Sequence, residues 1–203
     1  MKKLLISALV LGALTGCNAD DVQDYVTDKV GVDIKNTNDV VTAADATTLS
    51  LEVIAQAAID CGNDDNCDVD INYANGGVKG TLKVVDNNGV LTVTSDGLLN
   101  VWSNTNNLKA EVRLFASGNK VVLTPVAGTA TYNVELQDAH IVVDQKGDDV
   151  IFDTRTLTPF VFDNNVAALQ GFTGEAEIQG EDGDVRTFTY NGPGGDVNLS
   201  PLN

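Results

Sequence analysis

Short runs of alternating apolar and polar residues dominate the chain from Asp68 onward, separated by turn-forming residues at intervals of roughly 8 to 12 residues. Such alternation places the apolar side chains on one face of a β-strand. The composition agrees, because 27 Val and 19 Thr favour strands, whereas 23 Asp and 20 Asn favour turns and helix caps. We therefore expect an all-β domain, a mainly antiparallel sandwich or barrel-like sheet, with one main N-terminal helix.

One hairpin can be predicted together with its register. Alternating residues flank Asn88-Gly89, a dipeptide typical of a two-residue type I′ turn. This turn pairs Val84 with Val93 and Lys83 with Thr94, so that apolar residues face apolar ones and polar residues face polar ones. A slip of one residue would destroy this agreement.

A second hairpin is predicted over residues 109–123, with Gly118-Asn119 as its turn and Leu114 opposite Leu123. Further strands are expected at the alternating runs 129–136, 140–143, 150–153, 156–162, 174–178 and 185–190. About ten strands result. Because most have one apolar and one polar face, the sheet should cover a core on one side and meet water on the other.

The main helix is predicted over residues 47–60, where apolar residues recur at helical spacing. Asp45 or Thr47 could cap its N-terminus, and Gly62 follows its C-terminus. Cys61 and Cys67 come next, and we expect them to form a structural disulfide that joins the helix to the first strand. Closing a loop of about seven residues would stabilise the fold by roughly 2.4 kcal/mol.

Acidic residues crowd the loop around Cys67. Asp64, Asp65, Asp68 and Asp70 could supply oxygen ligands to a calcium ion. The EF-hand pattern does not fit, however, because a loop starting at Asp64 has Val69 where glycine is required. Two interpretations stay open: an irregular calcium loop, or a polar turn whose Asp68 and Asp70 lie on the wet face of a strand.

The N-terminus has the features of an export signal. Lys2 and Lys3 precede the apolar run 4–11, and Leu14-Thr15-Gly16-Cys17 follows it. These last four residues resemble the lipobox of bacterial lipoproteins, and the resemblance covers residues 1–17 only. It implies cleavage before Cys17, acylation of this cysteine with fatty acids such as palmitate, and anchoring in membrane lipid. Two or three acyl chains suffice for stable anchoring.

The lipoprotein resemblance also implies a destination and a division of the chain. In this family an Asp after the lipidated cysteine favours the inner membrane, whereas this chain has Asn18, so we expect the outer membrane. Residues 1–16 would be the signal peptide and residues 17–42 the lipidated N-terminus with a tether or a docking helix. Residues 43–203 would form a single helix-plus-β domain. The side of the membrane that the domain faces is left open.

Charge and motifs exclude several functions. A net charge of −17 disfavours nucleic acid, because phosphate binding requires clustered cations. His140 is the only histidine, so a site with two imidazoles is impossible, and no nucleophile elbow or phosphate-binding loop occurs. Since no pair of carboxylates stands out, we do not expect an enzyme.

Trp102 is the only tryptophan, and two roles are open to it: packing in the core, which we favour, or stacking on a sugar or partner. Together these features predict a non-catalytic binding or envelope-structural lipoprotein with an unidentified protein or glycan partner. The alternatives are a β-barrel that holds a small molecule inside it and a carboxylate-dependent hydrolase of envelope or extracellular polymers.

Overall fold

A computed structural model of the protein describes residues 34, 36–115, 117–144, 149–170, 174–180, 185–190 and 198–199. Helix α1 spans Thr37–Cys61. The first seven strands are β1 Cys67–Asn72, β2 Gly76–Asn87, β3 Val90–Ser95, β4 Leu98–Ser103, β5 Lys109–Arg113, β6 Lys120–Pro125 and β7 Thr131–Gln137. The other seven are β8 Ala139–Val143, β9 Val150–Thr158, β10 Phe160–Asp163, β11 Ala168–Leu169, β12 Glu175–Gly180, β13 Val185–Thr189 and β14 Asn198–Leu199.

The predicted class is confirmed, because antiparallel strands surround one helix near the N-terminal end of the described residues. All strands belong to one curled sheet, in the order β11-β10-β7-β6-β3-β2-β4-β5-β8-β9-β12-β13-β14, and β1 also pairs with β2. The sheet therefore has two arms on either side of the long strand β2. One arm contains β3, β6, β7, β10 and β11, and the other contains β4, β5, β8, β9, β12, β13 and β14. No helix in this part of the chain has the length and hydropathy needed to cross a membrane.

Helix α1 begins ten residues before its predicted start. Its N-cap is Asn36, whose side-chain oxygen accepts hydrogen bonds from the backbone N–H groups of Asn38, at 2.8 Å, and Asp39, at 3.2 Å. The proposed caps Asp45 and Thr47 lie inside the helix. The prediction was wrong because the first turns are rich in polar residues and alanine, and the apolar pattern becomes strong only later.

Almost every side of α1 is buried, including five successive positions from Leu51 to Ala55. A helix of this kind belongs inside a protein core. Its many alanines allow strands to approach closely, and it contacts strands of both arms, from β2 and β3 to β9 and β12. The sheet therefore curls around α1, with the large side chains of Phe152, Phe160, Phe162 and Phe188 fully buried in the shared core.

Observed strand pairing agrees with one predicted hairpin and not with the other. Val84 pairs with Val93 and Lys83 with Thr94, as the Asn88-Gly89 turn predicts. The second hairpin is wrong: β5 pairs with β4 and β8, whereas β6 pairs with β3 and β7. Leu123 faces Leu91 and Val134 instead of Leu114. Gly118 does turn the chain, but from one arm of the sheet to the other.

Breaks within long extended segments explain the larger number of strands. Gly97, with φ of 91°, separates β3 from β4, and Asp138, with φ of 50°, separates β7 from β8. Pro159 separates β9 from β10. Since consecutive segments such as β7 and β8 join different neighbours, each break sends the chain from one arm to the other. The expected alternation of buried and wet residues along the strands is confirmed, for example in β3 and β8.

Candidate functional site

A groove of about 650 Å³ lies on the outer face of the sheet, where β2, β4, β5 and β8 run side by side. Aromatic, cationic, anionic and amide side chains all line it. The lining residues are Lys79, Asn100, Val101, Trp102, Lys109, Ala110, Glu111, Val142, Asp144 and Asp149. A groove of this size is large enough for a small molecule or a few units of a polymer.

The strand register places the polar and aromatic residues of the groove in two neighbouring rows across the sheet. In one row Trp102 of β4 lies between Gly77 of β2 and Lys109 of β5. In the other row Asn100 of β4 lies between Lys79 of β2 and Glu111 of β5. Leu99 and Val101, the residues on either side of Asn100 in β4, are buried. Alternation along β4 therefore directs Trp102 and Asn100 outwards.

The indole of Trp102 lies over Gly77. A Cβ atom at Gly77 would overlap the Cζ2 and Cε2 atoms of the ring, so glycine is required for this close approach. The indole N–H donates to the side-chain oxygen of Asn72, 3.2 Å away. Our preferred role for Trp102, packing in the core, is therefore wrong: the ring is held on the outer face, partly exposed, as part of the groove wall.

Charged groups line both ends of the groove. Lys79 Nζ lies 2.8 Å from Asp70 Oδ2, and both side chains are exposed. The hydrogen bond to Asp70 and the charge of this carboxylate raise the pKa of Lys79. Lys109 lies beside Trp102, and the backbone N–H of Asp144 donates to the Lys109 carbonyl at 3.2 Å. Donors and acceptors are thus available around one aromatic surface.

Comparison of the chain with protein-family models, with curated proteins and with solved structures found no match. The function of the groove has to be inferred from its residues.

The two predicted disulfide cysteines meet at the end of α1. Cys61 and Cys67 form a disulfide with their Cα atoms 6.0 Å apart, in agreement with the predicted pairing. The bond joins the last residue of α1 to the first residue of β1. Cys17, the predicted lipidation site, lies outside the described residues, as do the signal and most of the tether.

The four calcium candidates do not converge. Asp64 accepts a hydrogen bond from the backbone of Asn66, Asp68 from the hydroxyl of Thr81, and Asp70 from Lys79, while Asp65 is exposed in the turn. Among the described residues, no group of three or more His, Cys, Asp or Glu side chains is arranged to hold a metal ion. The described geometry therefore favours the polar turn over the irregular calcium loop.

Sequence reasoning missed a buried carboxylate. Glu52, in the middle of α1, is 6% exposed. Its two oxygens accept hydrogen bonds from the backbone N–H of Leu169, at 2.9 Å, and the side-chain amide of Asn75, at 3.2 Å. Tyr190 supplies a further hydrogen bond. The signal was present in the sequence, because Glu52 lies three residues after Leu49 on the apolar stripe of the helix.

Burial is the largest influence on the pKa values of Glu52 and of two nearby groups, Asp45 and Tyr190. Desolvation raises the pKa of Glu52, and the hydrogen bonds from Leu169, Asn75 and Tyr190 oppose this rise. Desolvation also raises the pKa of Asp45, on the same helix, and that of Tyr190, where the charges of Glu52 and Asp45 add to it. Because Leu169 belongs to one end of the sheet and Tyr190 follows β13 near the other, Glu52 connects both ends to α1.

Proposed function

We propose that the protein is a lipid-anchored, non-catalytic binding module of the bacterial outer membrane, and that its groove binds a glycan. The observation that carries this proposal is the partly exposed indole of Trp102, fixed over Gly77 and surrounded by polar side chains. The ring presents an apolar surface, and its N–H group is already bonded to Asn72. A ligand that contacts Trp102 therefore meets the aromatic face.

A sugar matches this mixture of groups. The C–H groups on one side of a pyranose ring form an apolar surface that can cover an indole. Its hydroxyl groups donate and accept hydrogen bonds. Lys79, Lys109 and Asn100 supply donors, and Asp144 supplies acceptors, in the groove that Trp102 lines. An open groove on a sheet surface also suits an extended polymer better than an enclosed small molecule.

The arrangement of the core supports binding without catalysis. Two described acids whose pKa is raised by burial, Asp45 and Glu52, lie on α1 and are not groove residues. Perturbed carboxylates that face a cleft are what a hydrolase needs. Inside the curled sheet, α1 packs where a barrel would hold a small molecule. Neither alternative has a specific observation in its favour.

We expect Trp102 to report binding directly, because it is the only tryptophan. Its fluorescence should change and saturate when purified protein is titrated with a suitable tetrasaccharide, tested from a panel of neutral, amino and acidic sugars. The substitution Trp102→Ala should weaken binding by about five- to 150-fold in calorimetry, since an aromatic contact of this kind contributes on the order of 1–3 kcal/mol. Phe115→Ala, which removes an exposed aromatic residue outside the groove, should leave affinity unchanged. If no glycan of the panel binds in a Trp102-dependent manner, the proposed function is wrong.

Anchoring is tested separately. Cells that express the wild-type chain should incorporate labelled palmitate into it, and Cys17→Ser should abolish the label because the acylated thiol is gone. Asn18→Asp provides the matched control: it should keep the label while moving the protein from the outer to the inner membrane fraction. Label that persists in Cys17→Ser would contradict the lipoprotein assignment.

A further inference from the structure

Trp102 reaches across strand β2 to a residue of β1. Gly77 of β2 pairs with Trp102 of β4 on one side and with Asn72 of β1 on the other. The indole N–H donates to the side-chain oxygen of Asn72 at 3.2 Å, and the ring atoms nearest Gly77 are Cε2 and Cζ2, on the same edge as this nitrogen. The indole therefore lies across β2, with one face against the backbone of Gly77 and the opposite face left for a ligand.

Asn104, two residues after Trp102, holds the same acceptor. Its side-chain amide donates to the side-chain oxygen of Asn72 at 3.0 Å and to the carbonyl oxygen of Tyr73 at 2.7 Å. Its backbone N–H donates to the carbonyl oxygen of Asn75 at 3.0 Å. The Asn72 oxygen thus accepts hydrogen bonds from the indole and from Asn104 together. We call Asn72 and Asn104 the asparagine clamp.

Helix α1 fixes the turn between β1 and β2, residues 73–75, from inside the sheet. The hydroxyl of Tyr73 donates to Asp60, in the last turn of α1, at 2.9 Å. Burial, followed by the hydrogen bond to Asp60 and its charge, raises the pKa of Tyr73, so this hydroxyl keeps its proton at neutral pH. The side-chain amide of Asn75 donates to Glu52 at 3.2 Å. The asparagine clamp is therefore held by the core helix as well as by β2.

On the premise of the proposed glycan-binding function, we infer that Asn72 and Asn104 are positioning residues, which hold the Trp102 indole across β2 before a glycan binds. Neither asparagine lines the groove, so both act through Trp102. A side chain that is already ordered loses less freedom when its ligand binds, and this difference corresponds to about two- to tenfold in affinity.

A purely structural role for the clamp is the competing explanation, because the same hydrogen bonds would hold residues 73–75 even if the ring needed no support. The contact with the indole argues for positioning. Among the described residues, the Asn72 oxygen is the one acceptor of the indole N–H. Without it the ring can rotate about its side-chain torsions, and a ring that stands upright on β4 presents an edge to the groove instead of a face.

Time-resolved fluorescence anisotropy of Trp102, the only tryptophan, tests the inference without a ligand. We expect Asn72→Ala to increase the motion of the indole and therefore to lower the anisotropy, and Asn104→Ala to act in the same direction. Asn72→Asp should keep the wild-type anisotropy, because aspartate retains the oxygen that accepts both hydrogen bonds. Asn165→Ala removes the same amide from an exposed turn outside the groove and should have no effect.

Titration of the same proteins with tetrasaccharides of N-acetylglucosamine, glucosamine and galacturonate measures the effect on affinity. For the tetrasaccharide that wild type binds most tightly, Asn72→Ala should weaken binding about two- to tenfold. Asn72→Asp should restore wild-type affinity at high salt, which screens the added charge. Chemical unfolding of each variant, followed by circular dichroism, measures stability separately. If Asn72→Ala does not fold, Asn104→Ala provides the same comparison.

The outcomes distinguish the inference from the proposed function. Wild-type anisotropy or wild-type affinity in Asn72→Ala would overturn the inference and leave glycan binding in place, even if the free energy of unfolding has fallen. Equal loosening of the indole by Asn72→Asp and Asn72→Ala would also overturn it, since the acceptor oxygen would then be irrelevant. Wild type that binds no glycan of the panel through Trp102 identifies the proposed function as the error, and the inference fails with it.

Discussion

Replacing Glu52 with alanine should lower the free energy of unfolding by about 3 kcal/mol. The substitution removes the common acceptor of the buried Leu169 N–H, the buried Tyr190 hydroxyl and the half-buried Asn75 amide. Each buried unsatisfied donor costs about 1–3 kcal/mol. Removing a buried carboxylate offsets part of this cost. In thermal unfolding the loss corresponds to a fall in Tm of roughly 9 °C.

Glu52→Gln is the matched control, because it keeps the shape of the side chain and the acceptor for Leu169. Its cost should be about 1 kcal/mol or less. A Glu52→Ala protein as stable as the Gln variant would show that the hydrogen bonds of the carboxylate do not hold the two ends of the sheet.

Wild type and Glu52→Gln should also differ in how their free energy of unfolding depends on pH. The folded chain has a raised pKa at Glu52, whereas the unfolded chain has the ordinary value of 4.5. As the pH rises above 4.5, Glu52 loses its proton in the unfolded chain before it does so in the folded chain. The contribution of Glu52 to stability is therefore complete below pH 4.5. It is lost as the pH rises through the pKa of the folded chain. Wild type should therefore lose stability relative to Glu52→Gln on going from acidic to neutral pH. A difference that is independent of pH would contradict this.

Gly77→Ala should be comparably damaging, with a loss of about 3 kcal/mol. The added methyl group would overlap the Trp102 indole and approach the Ile71 carbonyl oxygen at 2.5 Å, so either the ring or strand β2 has to move. Displacement of the indole into water should shift tryptophan emission to longer wavelength. Chemical unfolding and fluorescence spectra of the variant measure both effects.

Gly97→Ala separates crowding from backbone strain. Nothing lies within 4 Å of a Cβ atom at Gly97, but its φ of 91° is unfavourable for alanine, so a cost of about 1 kcal/mol is expected without any change in emission. If Gly77→Ala behaves like Gly97→Ala, the indole does not need glycine beneath it.

Local patterns in the sequence predict local structure. The Asn88-Gly89 hairpin follows from its turn and its alternation, and the cysteine spacing indicates the disulfide, because these features depend on residues close in the chain. The sequence does not predict which strands pair after the breaks at Gly97 and Asp138. Alternation shows which side chains share a face of a strand, but it does not show which strand lies beside it. This limitation produced the wrong partner for Leu114.

The candidate site was less predictable than the fold. The size and aromatic character of Trp102 favour burial in the core, whereas its alternation with Leu99 and Val101 in β4 directs it outwards. The neighbours of Trp102 in the groove come from β2, β5 and β8, and only the tertiary register brings them together. Glu52 was overlooked because the network that satisfies it comes from residues far along the chain.

The bond between Cys61 and Cys67 has a mechanical consequence under the proposed anchoring at Cys17. A pull on the N-terminal side enters the domain at the start of α1, passes along this buried helix and crosses the disulfide into β1. Because β1 is paired with β2 over six residue pairs, the load passes through this ladder to the strand that carries Gly77 and Lys79. Under the proposed anchoring and glycan binding, the hydrogen bonds of the β1–β2 ladder would lie on the path between the membrane and the polymer.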